Sequence, residues 1–235
     1  MYTTDQSVHT LGRVRVAFAT LGGAWLACVA GYVDAVFFRL AGVAVTHVTG
    51  NAALFSADAA ASNFDNAARL GLIVGSFVLG AILSGVVVGS PSLRSGRRYG
   101  VVLVIEGLLL ACAALAYPST ATASACLAAC AAGLQNAMAS TYMGLIVRTT
   151  HLTGIATDIG FLIGCLLRGR RFEIWKLGLL LLLATGFIAG AVMGAIAAGE
   201  LGSRALWIVS GNVIAVGVVY WVWRVRHPDR AAKHA

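Results

Sequence analysis

The chain has 235 residues, of which 59% are hydrophobic and 11% are charged, and its mean hydropathy is +0.86. A soluble domain of this length carries about twice that share of charged residues, so the composition argues against a soluble fold. The formal net charge is +8, but the bases stand at the ends of apolar runs, where they orient helices in a bilayer and do not form a nucleic-acid-binding face. We therefore expect one all-α integral membrane domain over residues 1–235, with the lipid bilayer as a partner and no nucleic acid.

Eight apolar segments follow one another along the chain. They cover residues 16–38, 40–61, 70–88, 101–117, 121–143, 144–167, 177–198 and 206–223. Polar residues interrupt two of them. The second contains Thr46, His47, Thr49, Asn51 and Asp58, and the sixth contains Arg148, His151, Thr153 and Asp158. The pattern predicts six to seven transmembrane helices, with one or two of these interrupted segments broken or re-entrant.

A series of short matches recurs in one order and indicates an internal duplication. Residues 27–31 match 129–133, residues 46–50 match 150–154, and residues 77–81 match 187–191. In the first series Asp34 takes the position that Asn136 takes in the second. We place repeat one at about residues 15–117 and repeat two at about 119–224.

The distribution of bases decides how the repeats face. If the second and sixth segments enter and leave the membrane on one side, only Arg39, Arg69 and Arg204 lie outside. The positive-inside rule prefers this arrangement, with six spans and two inverted-topology repeats, to eight full spans. A seven-helix arrangement, in which the second segment spans and the sixth does not, puts the amino terminus outside. It leaves four bases outside, which are Arg13, Arg15, Arg69 and Arg204, and it stays open.

Ionisable side chains inside a bilayer cost roughly 2.5 kcal/mol or more, so they mark candidate sites. The two Thr-His-x-Thr-Gly motifs are the most informative of these sites, and each has a glycine that permits a broken backbone. In inverted-repeat transporters such broken segments meet at the midplane and form the site. The predicted pathway comprises Asp34, Thr46, His47, Thr49, Asn51, Asn136, Thr150, His151, Thr153 and Asp158. The alternative is that these groups only join helices by hydrogen bonds.

Two carboxyl groups have roles of their own. Asp34 corresponds to a neutral Asn136 in the second repeat, and this asymmetry would suit a single proton or cation site. The alternative is that Asp34 forms an ion pair with Arg39 or Arg148. Glu106 stands alone in its apolar segment, and we expect either a proton relay or a carboxyl that is protonated or paired.

Other motifs point to structure. Gly186, Gly190 and Gly194 are spaced by four and predict a seam for close helix packing. The five cysteines lie in apolar runs without CxxC spacing, and we interpret them as small buried hydrophobic residues. No Gly-x-Ser-x-Gly elbow, Walker motif or paired metal-ligand spacing occurs, so we expect no enzyme, no cofactor and no metal.

The sequence Gly-Tyr-Val-Asp-Ala at residues 31–35, followed by Thr-His-Val-Thr-Gly-Asn at 46–51, resembles the YoaK-like bacterial membrane family. The resemblance extends from about residue 15 to 224. It implies a bacterial inner-membrane protein of six or seven helices and supplies no substrate. The second copy departs from the motif, with Asn136 in place of the aspartate and Ile155 in place of the asparagine.

The expected function is a secondary transporter or channel for a small polar solute or ion. Because helix amino-terminal ends favour negative charge, a small anion is mildly preferred. His47 and His151 can change charge near neutral pH, which would permit proton coupling. The alternatives are a membrane sensor or scaffold and, less favoured, a membrane-embedded enzyme. A homodimer stays open.

Overall fold

The computed structural model describes residues 13–89, 97–141, 149–170 and 174–227, with side chains from residue 20 onward. These residues are helical apart from short connections. In chain order the helices are α1 (Arg13–Ala41), α2 (Val48–Ala60), α3 (Phe64–Val88), α4 (Arg98–Ala116), α5 (Ala121–Thr141), α6 (Leu152–Leu167), α7 (Ile174–Leu201) and α8 (Ala205–Arg226). A 3₁₀ turn (Gly202–Arg204) joins α7 to α8.

Six helices correspond to the predicted full-length segments, and most of them extend beyond at least one predicted bound. Hydropathy detects only the apolar stretch, whereas polar residues such as Asp65 and Arg226 continue the helical turns at the ends. In the two interrupted segments the helices are instead shorter than the predicted segments. Residues 42–47 are not helical, so only α2 remains of the second segment, and α6 begins eight residues into the sixth. Arg148 lies outside the described residues.

Four stretches of the described residues are long and apolar enough to cross a membrane, which makes the chain a multi-pass membrane protein. They are Thr20–Ala41, Phe64–Val88, Arg98–Ala116 and Ile174–Arg226, the last of which contains both α7 and α8. Helix α5 is as long but less apolar. It packs between α3 and α4 and buries much of its surface, so fewer of its side chains have to face lipid.

A glycine seam joins α1 to α7. A Cβ added at Gly190 would overlap the carbonyl oxygen of Cys28, and one at Gly194 would overlap that of Tyr32. The contacted residue numbers rise together, so the two helices run parallel. From the α1 side, a Cβ at Gly31 would overlap the Phe187 carbonyl. As the seam predicts, small residues let the two backbones touch.

The crossing of α3 and α5 repeats this arrangement with corresponding residues. A Cβ at Gly80 would overlap the carbonyl oxygen of Cys130, and one at Gly133 would overlap that of Phe77. In the sequence matches Gly80 corresponds to Gly190, and Gly133 corresponds to Gly31. The α3–α5 pair also runs parallel. Each crossing therefore joins one helix of the first repeat to one helix of the second.

Helices α4 and α8 cross in opposite directions. Gly100 lies against Gly217 and Trp221, whereas Gly107 lies against Ser210, and the Ser210 hydroxyl donates to the Gly107 carbonyl at 2.8 Å. Helices α1 and α5 are also antiparallel. These directions bring together the amino ends of α1, α4 and α7 and the carboxyl ends of α3, α5 and α8, which we call the basic end.

The described bases divide unevenly between the two ends of the bundle. The opposite end of the bundle contains the amino end of α3 and the carboxyl ends of α1 and α7. It carries three of the described bases, which are Arg39, Arg69 and Arg204. Other bases stand where helices begin or finish at the basic end, among them Arg97, Arg98, Lys176, Arg224 and Arg226.

Candidate functional site

The broken segment of the first repeat is anchored to α1 by one carboxylate. Asp34 Oδ1 accepts hydrogen bonds from the backbone N–H and from the hydroxyl of Thr46, each at 2.9 Å. Asp34 and Thr46 are both buried. Seven residues of helix separate Asp34 from Ala41, so Thr46 lies about 10 Å back along α1 from its carboxyl end. The chain therefore turns inward after α1 before α2 begins.

Two further bonds fix the segment and its return. Asn51, also buried, donates from Nδ2 to the Ala44 carbonyl at 2.7 Å. Arg69 of α3 donates from Nη2 to the Ala41 carbonyl at 2.8 Å. Helix α2 thus starts beside Asp34, inside the bundle, whereas α3 starts near Ala41, at the carboxyl end of α1. The bonds satisfy backbone groups that a broken helix leaves free.

His47 stands at the start of α2, between Asp34 and α7. Its Nε2 lies 3.5 Å from Asp34 Oδ2. Its ring stacks on Phe187, with centroids 6.1 Å apart and planes 27° apart. Phe187 is at the middle of α7, so the imidazole lies near the middle of the bundle. The His47 side chain is 43% exposed, against 10% for that of Asp34. Asp34 is therefore the close neighbour of an accessible histidine, and the two side chains form an ion pair only when the imidazole is protonated.

The second repeat does not reproduce this arrangement. Asn136, which corresponds to Asp34, has a buried Oδ1 without a hydrogen-bond partner, and the buried Thr149 hydroxyl is likewise unpartnered. Thr150 is partly buried in the turn before α6. A Cβ added at Gly154 would overlap the His151 ring, so that ring folds over its own helix. The two histidines of the matched motifs thus have different partners.

The other predicted site residues lie apart from this cluster. Thr49 is exposed on α2, and Thr153 and Asp158 are exposed on α6. Glu106 of α4 is 1% exposed, and its Oε2 has no hydrogen-bond partner. Both α2 and α6 begin without a side-chain cap, so their first backbone N–H groups lack that partner. Within the described ranges, no group of three His, Cys, Asp or Glu side chains could hold a metal ion.

Sequence reasoning missed Phe187 as a site residue. Phe187 stands in the match between residues 77–81 and 187–191, but that match assigned it no role. Its aromatic ring is the surface on which His47 rests. The paired position in the other repeat, Phe77, gave the same signal.

The comparisons with known proteins identify the family. A family model described as "Protein of unknown function (DUF1275)" matches residues 22–219. The chain belongs to the DUF1275 family. The DUF1275 match runs from α1 into α8 and so contains every predicted site residue, in agreement with the YoaK-like resemblance. Neither the curated proteins nor the solved structures gave a match.

Proposed function

We propose that this chain is a secondary transporter or channel for a small polar solute or ion, placed in a bacterial inner membrane. The observation that carries the proposal is the Asp34–Thr46–His47 cluster at a broken helix near the middle of the bundle. Non-helical backbone at such depth is tolerated only where it is buried in protein or lines a cavity. An accessible imidazole beside a buried carboxylate provides a group that a solute or proton can reach.

The proposed architecture is two inverted-topology repeats. Corresponding helices α1 and α5 run in opposite directions, and the α1–α7 and α3–α5 crossings use corresponding glycines and carbonyls. Such inversion places the solute site at the interface of the repeats. The sharing of each crossing between repeats supports a site there.

The proposed topology has six spans and two re-entrant segments, with the basic end in the cytoplasm. The contacts of Thr46 with Asp34 and of Arg69 with Ala41 support a second segment that enters and leaves on one side. The larger number of bases at the basic end supports its cytoplasmic placement.

The two halves favour different charges. Asp34 and His47 suit a proton or cation in the first half. In the second half the uncapped start of α6 and the unpartnered Thr149 hydroxyl provide donors, and Asn136 is neutral where the first half has Asp34. Donors at a helix start favour negative charge, so a small anion coupled to a proton remains the mild preference. We expect no enzymatic reaction and no nucleic-acid partner; a homodimer stays open.

One observation favours the rival function, a sensor or scaffold. The hydrogen bonds of Asp34 Oδ1 and of Asn51 Nδ2 all go to residues 44–46, so both side chains act as joints for the broken segment. If the protein is a sensor or scaffold, the cluster only holds the broken segment in place for a partner protein, and no solute crosses the bundle.

Labelling from each side of the membrane separates these functions. Thr49→Cys and Thr153→Cys in a cysteine-free background, treated with a membrane-impermeant thiol reagent, should both react if the motifs line a water-filled path. Protection by a small solute would identify the path as its route. If neither cysteine reacts from either side, these two exposed positions face lipid and not water, and the scaffold is the better function.

Transport itself is tested in liposomes with a panel of small anions and cations, with and without a pH gradient. Asp34→Asn and His47→Gln should lower the flux, whereas Glu200→Gln, at an exposed site at the end of α7, should not. Purified protein that passes none of the solutes under either condition would contradict the proposal.

A further inference from the structure

A groove lies between α1 and α8, in the half of the bundle near the basic end. Two hydrogen bonds join these antiparallel helices elsewhere. The Tyr32 hydroxyl donates to the Ala205 carbonyl at 3.1 Å, and Trp25 Nε1 donates to Asn212 Oδ1 at 3.2 Å. From Trp25 toward the basic end, a cavity of about 130 Å³ separates the two helices, and we call it the α1–α8 groove.

The burial of its lining shows on which side the groove opens. The floor consists of buried residues of α4 and α5, which are Tyr99, Leu103, Met138 and Ala139. On α1 and α8 most of the lining residues are only partly buried, among them Gly22, Trp25, Val216 and Tyr220. The groove therefore opens outward between α1 and α8. Both helices belong to stretches that are long and apolar enough to cross a membrane, so the open side faces lipid.

Arg224 adds a positive charge where the groove approaches the basic end. It lies one turn of α8 beyond Tyr220, and its guanidinium lies over the rings of Tyr220 and Trp223, 5.9 and 5.4 Å from their centroids. The ring faces attract the cation and so hold it beside the groove. Among the described residues, no carboxylate forms an ion pair with Arg224. Its charge is therefore available to an anion that comes from the bilayer.

We propose that the α1–α8 groove binds one acyl chain of an anionic phospholipid, whose phosphate pairs with Arg224. The lining of the groove is almost wholly apolar and matches a hydrocarbon chain. A guanidinium forms charge-assisted hydrogen bonds with phosphate oxygens, and its planar fork suits that group. The chain and the headgroup of one lipid thus meet the two parts of the site. This site is separate from the Asp34 cluster and does not depend on the proposed transport.

The charge of Arg224 selects among lipids. A zwitterionic lipid carries an ammonium group next to its phosphate, and Arg224 repels that group. An anionic lipid such as phosphatidylglycerol keeps its net negative charge. Basic residues at the cytoplasmic side of membrane helices attract such lipids, and the basic end is the cytoplasmic end in the proposed topology.

The volume of the groove limits what enters it. A cavity of similar volume with an apolar lining accepts a benzene ring. The groove therefore holds a short stretch of one acyl chain, and the rest of the lipid stays in the bilayer. A neutral apolar compound of that size would gain the contacts with the lining but nothing from Arg224.

The groove belongs to one half of the molecule. In the predicted repeats, α5 and α4 correspond to α1 and α8. Bonds join α4 and α5 near both ends, since the Tyr99 hydroxyl donates to the Thr141 carbonyl at 3.0 Å and the Ser124 hydroxyl donates to the Ala113 carbonyl at 2.7 Å. The α1–α8 pair has no such bond at the basic end among the described residues. We therefore expect one lipid of this kind per chain.

The test is native mass spectrometry of the full chain released from nanodiscs of phosphatidylcholine with a minor share of phosphatidylglycerol. The wild type should retain phosphatidylglycerol about fivefold above its share in the bilayer, as one favourable base predicts. Arg224→Gln should abolish this enrichment. Lys176→Gln is the matched control, because Lys176 also lies over an indole ring near the basic end, at 5.7 Å, but belongs to α7, which does not line the groove. It should leave the enrichment unchanged.

A second variant tests the groove itself. Gly22 lines the groove, and a Cβ added there meets nothing within 4 Å, so Gly22→Leu fills the space without a clash. It should lower the enrichment as Arg224→Gln does. Gly178→Leu, on α7 and with equal space, should not. Circular dichroism melts check that each variant folds.

Three results would overturn the proposal. If the wild type retains the two lipids in proportion to the bilayer, the site does not select anionic lipid. If Gly22→Leu keeps the full enrichment, Arg224 binds a headgroup without the groove. If Lys176→Gln lowers the enrichment as much as Arg224→Gln, the selectivity belongs to the basic end as a whole.

Discussion

The backbone N–H and the hydroxyl of Thr46 donate to the same oxygen of Asp34, each at 2.9 Å. The carboxylate thus satisfies one backbone donor and one side-chain donor of a segment that has left the helical pattern. Hydrogen bonds to a charged acceptor are stronger than those between neutral groups. This relationship makes the inward turn of residues 42–47 depend on one side chain.

Removing that acceptor should destabilise the protein. Asp34→Ala leaves the buried Thr46 N–H unpaired and should lower the free energy of unfolding by about 2–3 kcal/mol, whereas Thr46→Val removes only the hydroxyl and should cost about 1 kcal/mol. Unfolding titrations in mixed micelles measure both. Thr185→Val, which removes an exposed hydroxyl on α7, is the matched control. Equal losses for Asp34→Ala and Thr46→Val would show that the backbone bond contributes little.

The glycine crossings provide a second prediction. Gly80→Ala would force a Cβ onto the Cys130 carbonyl, and we expect a loss of about 1–3 kcal/mol from overpacking. Gly75→Ala and Gly85→Ala, on the same helix, meet nothing within 4 Å and should be neutral or slightly stabilising. Thermal melts in detergent compare the three variants. A loss at Gly75 as large as that at Gly80 would contradict the crossing.

Backbone conformation gives a third prediction. Gly42 ends α1 with φ of +65°, where an added Cβ meets no neighbour. Gly42→Ala should still cost about 1 kcal/mol because L residues disfavour this region. Gly178→Ala, with equal space and a helical backbone, is the control for the same melt. A neutral Gly42→Ala would mean that the turn into the bundle tolerates another conformation.

The topology yields a fourth prediction. Single cysteines at Arg39 and Ala61 flank the second segment and should react with an impermeant thiol reagent from the same side. Single cysteines at Arg97 and Arg170 should react from the opposite side. If Arg39→Cys and Ala61→Cys react from different sides, α2 and residues 42–47 cross the membrane, and the re-entrant arrangement is wrong.

Helices and seams were predictable because their signals are local. Apolar length located each long helix. The spacing of Gly186, Gly190 and Gly194 predicted a close helix contact, and the structure shows that its partner is α1. Asp34 was also recognisable, since an ionisable side chain in an apolar segment is unusual. What spacing could not supply was the depth to which residues 42–47 turn inward, and hence the Asp34–His47 pair.

The remaining features depend on helices distant in sequence. Phe187 meets His47 only because α7 packs beside α1, and the burial of Glu106 depends on the helices that pack against α4. Nor does the sequence distinguish the two histidine rings, one turned to Asp34 and the other folded over Gly154. The replacement of Asp34 by Asn136 in the second copy already marked the two halves as different, but it did not show how the surroundings of the two histidines differ.

The glycine crossings also bear on how the chain is made. Helix α1 leaves the ribosome long before α7, its principal partner, and α3 must wait for α5. In a fragment that ends at Ala116, the faces of α1 and α3 that pack on α7 and α5 would have no partner. The first half should therefore be unstable by itself and be degraded by quality-control proteases. The second half, supplied as a separate chain, carries the missing faces. The stable unit in the membrane is then the two halves packed together. A peptide bond between the halves is not required for that packing.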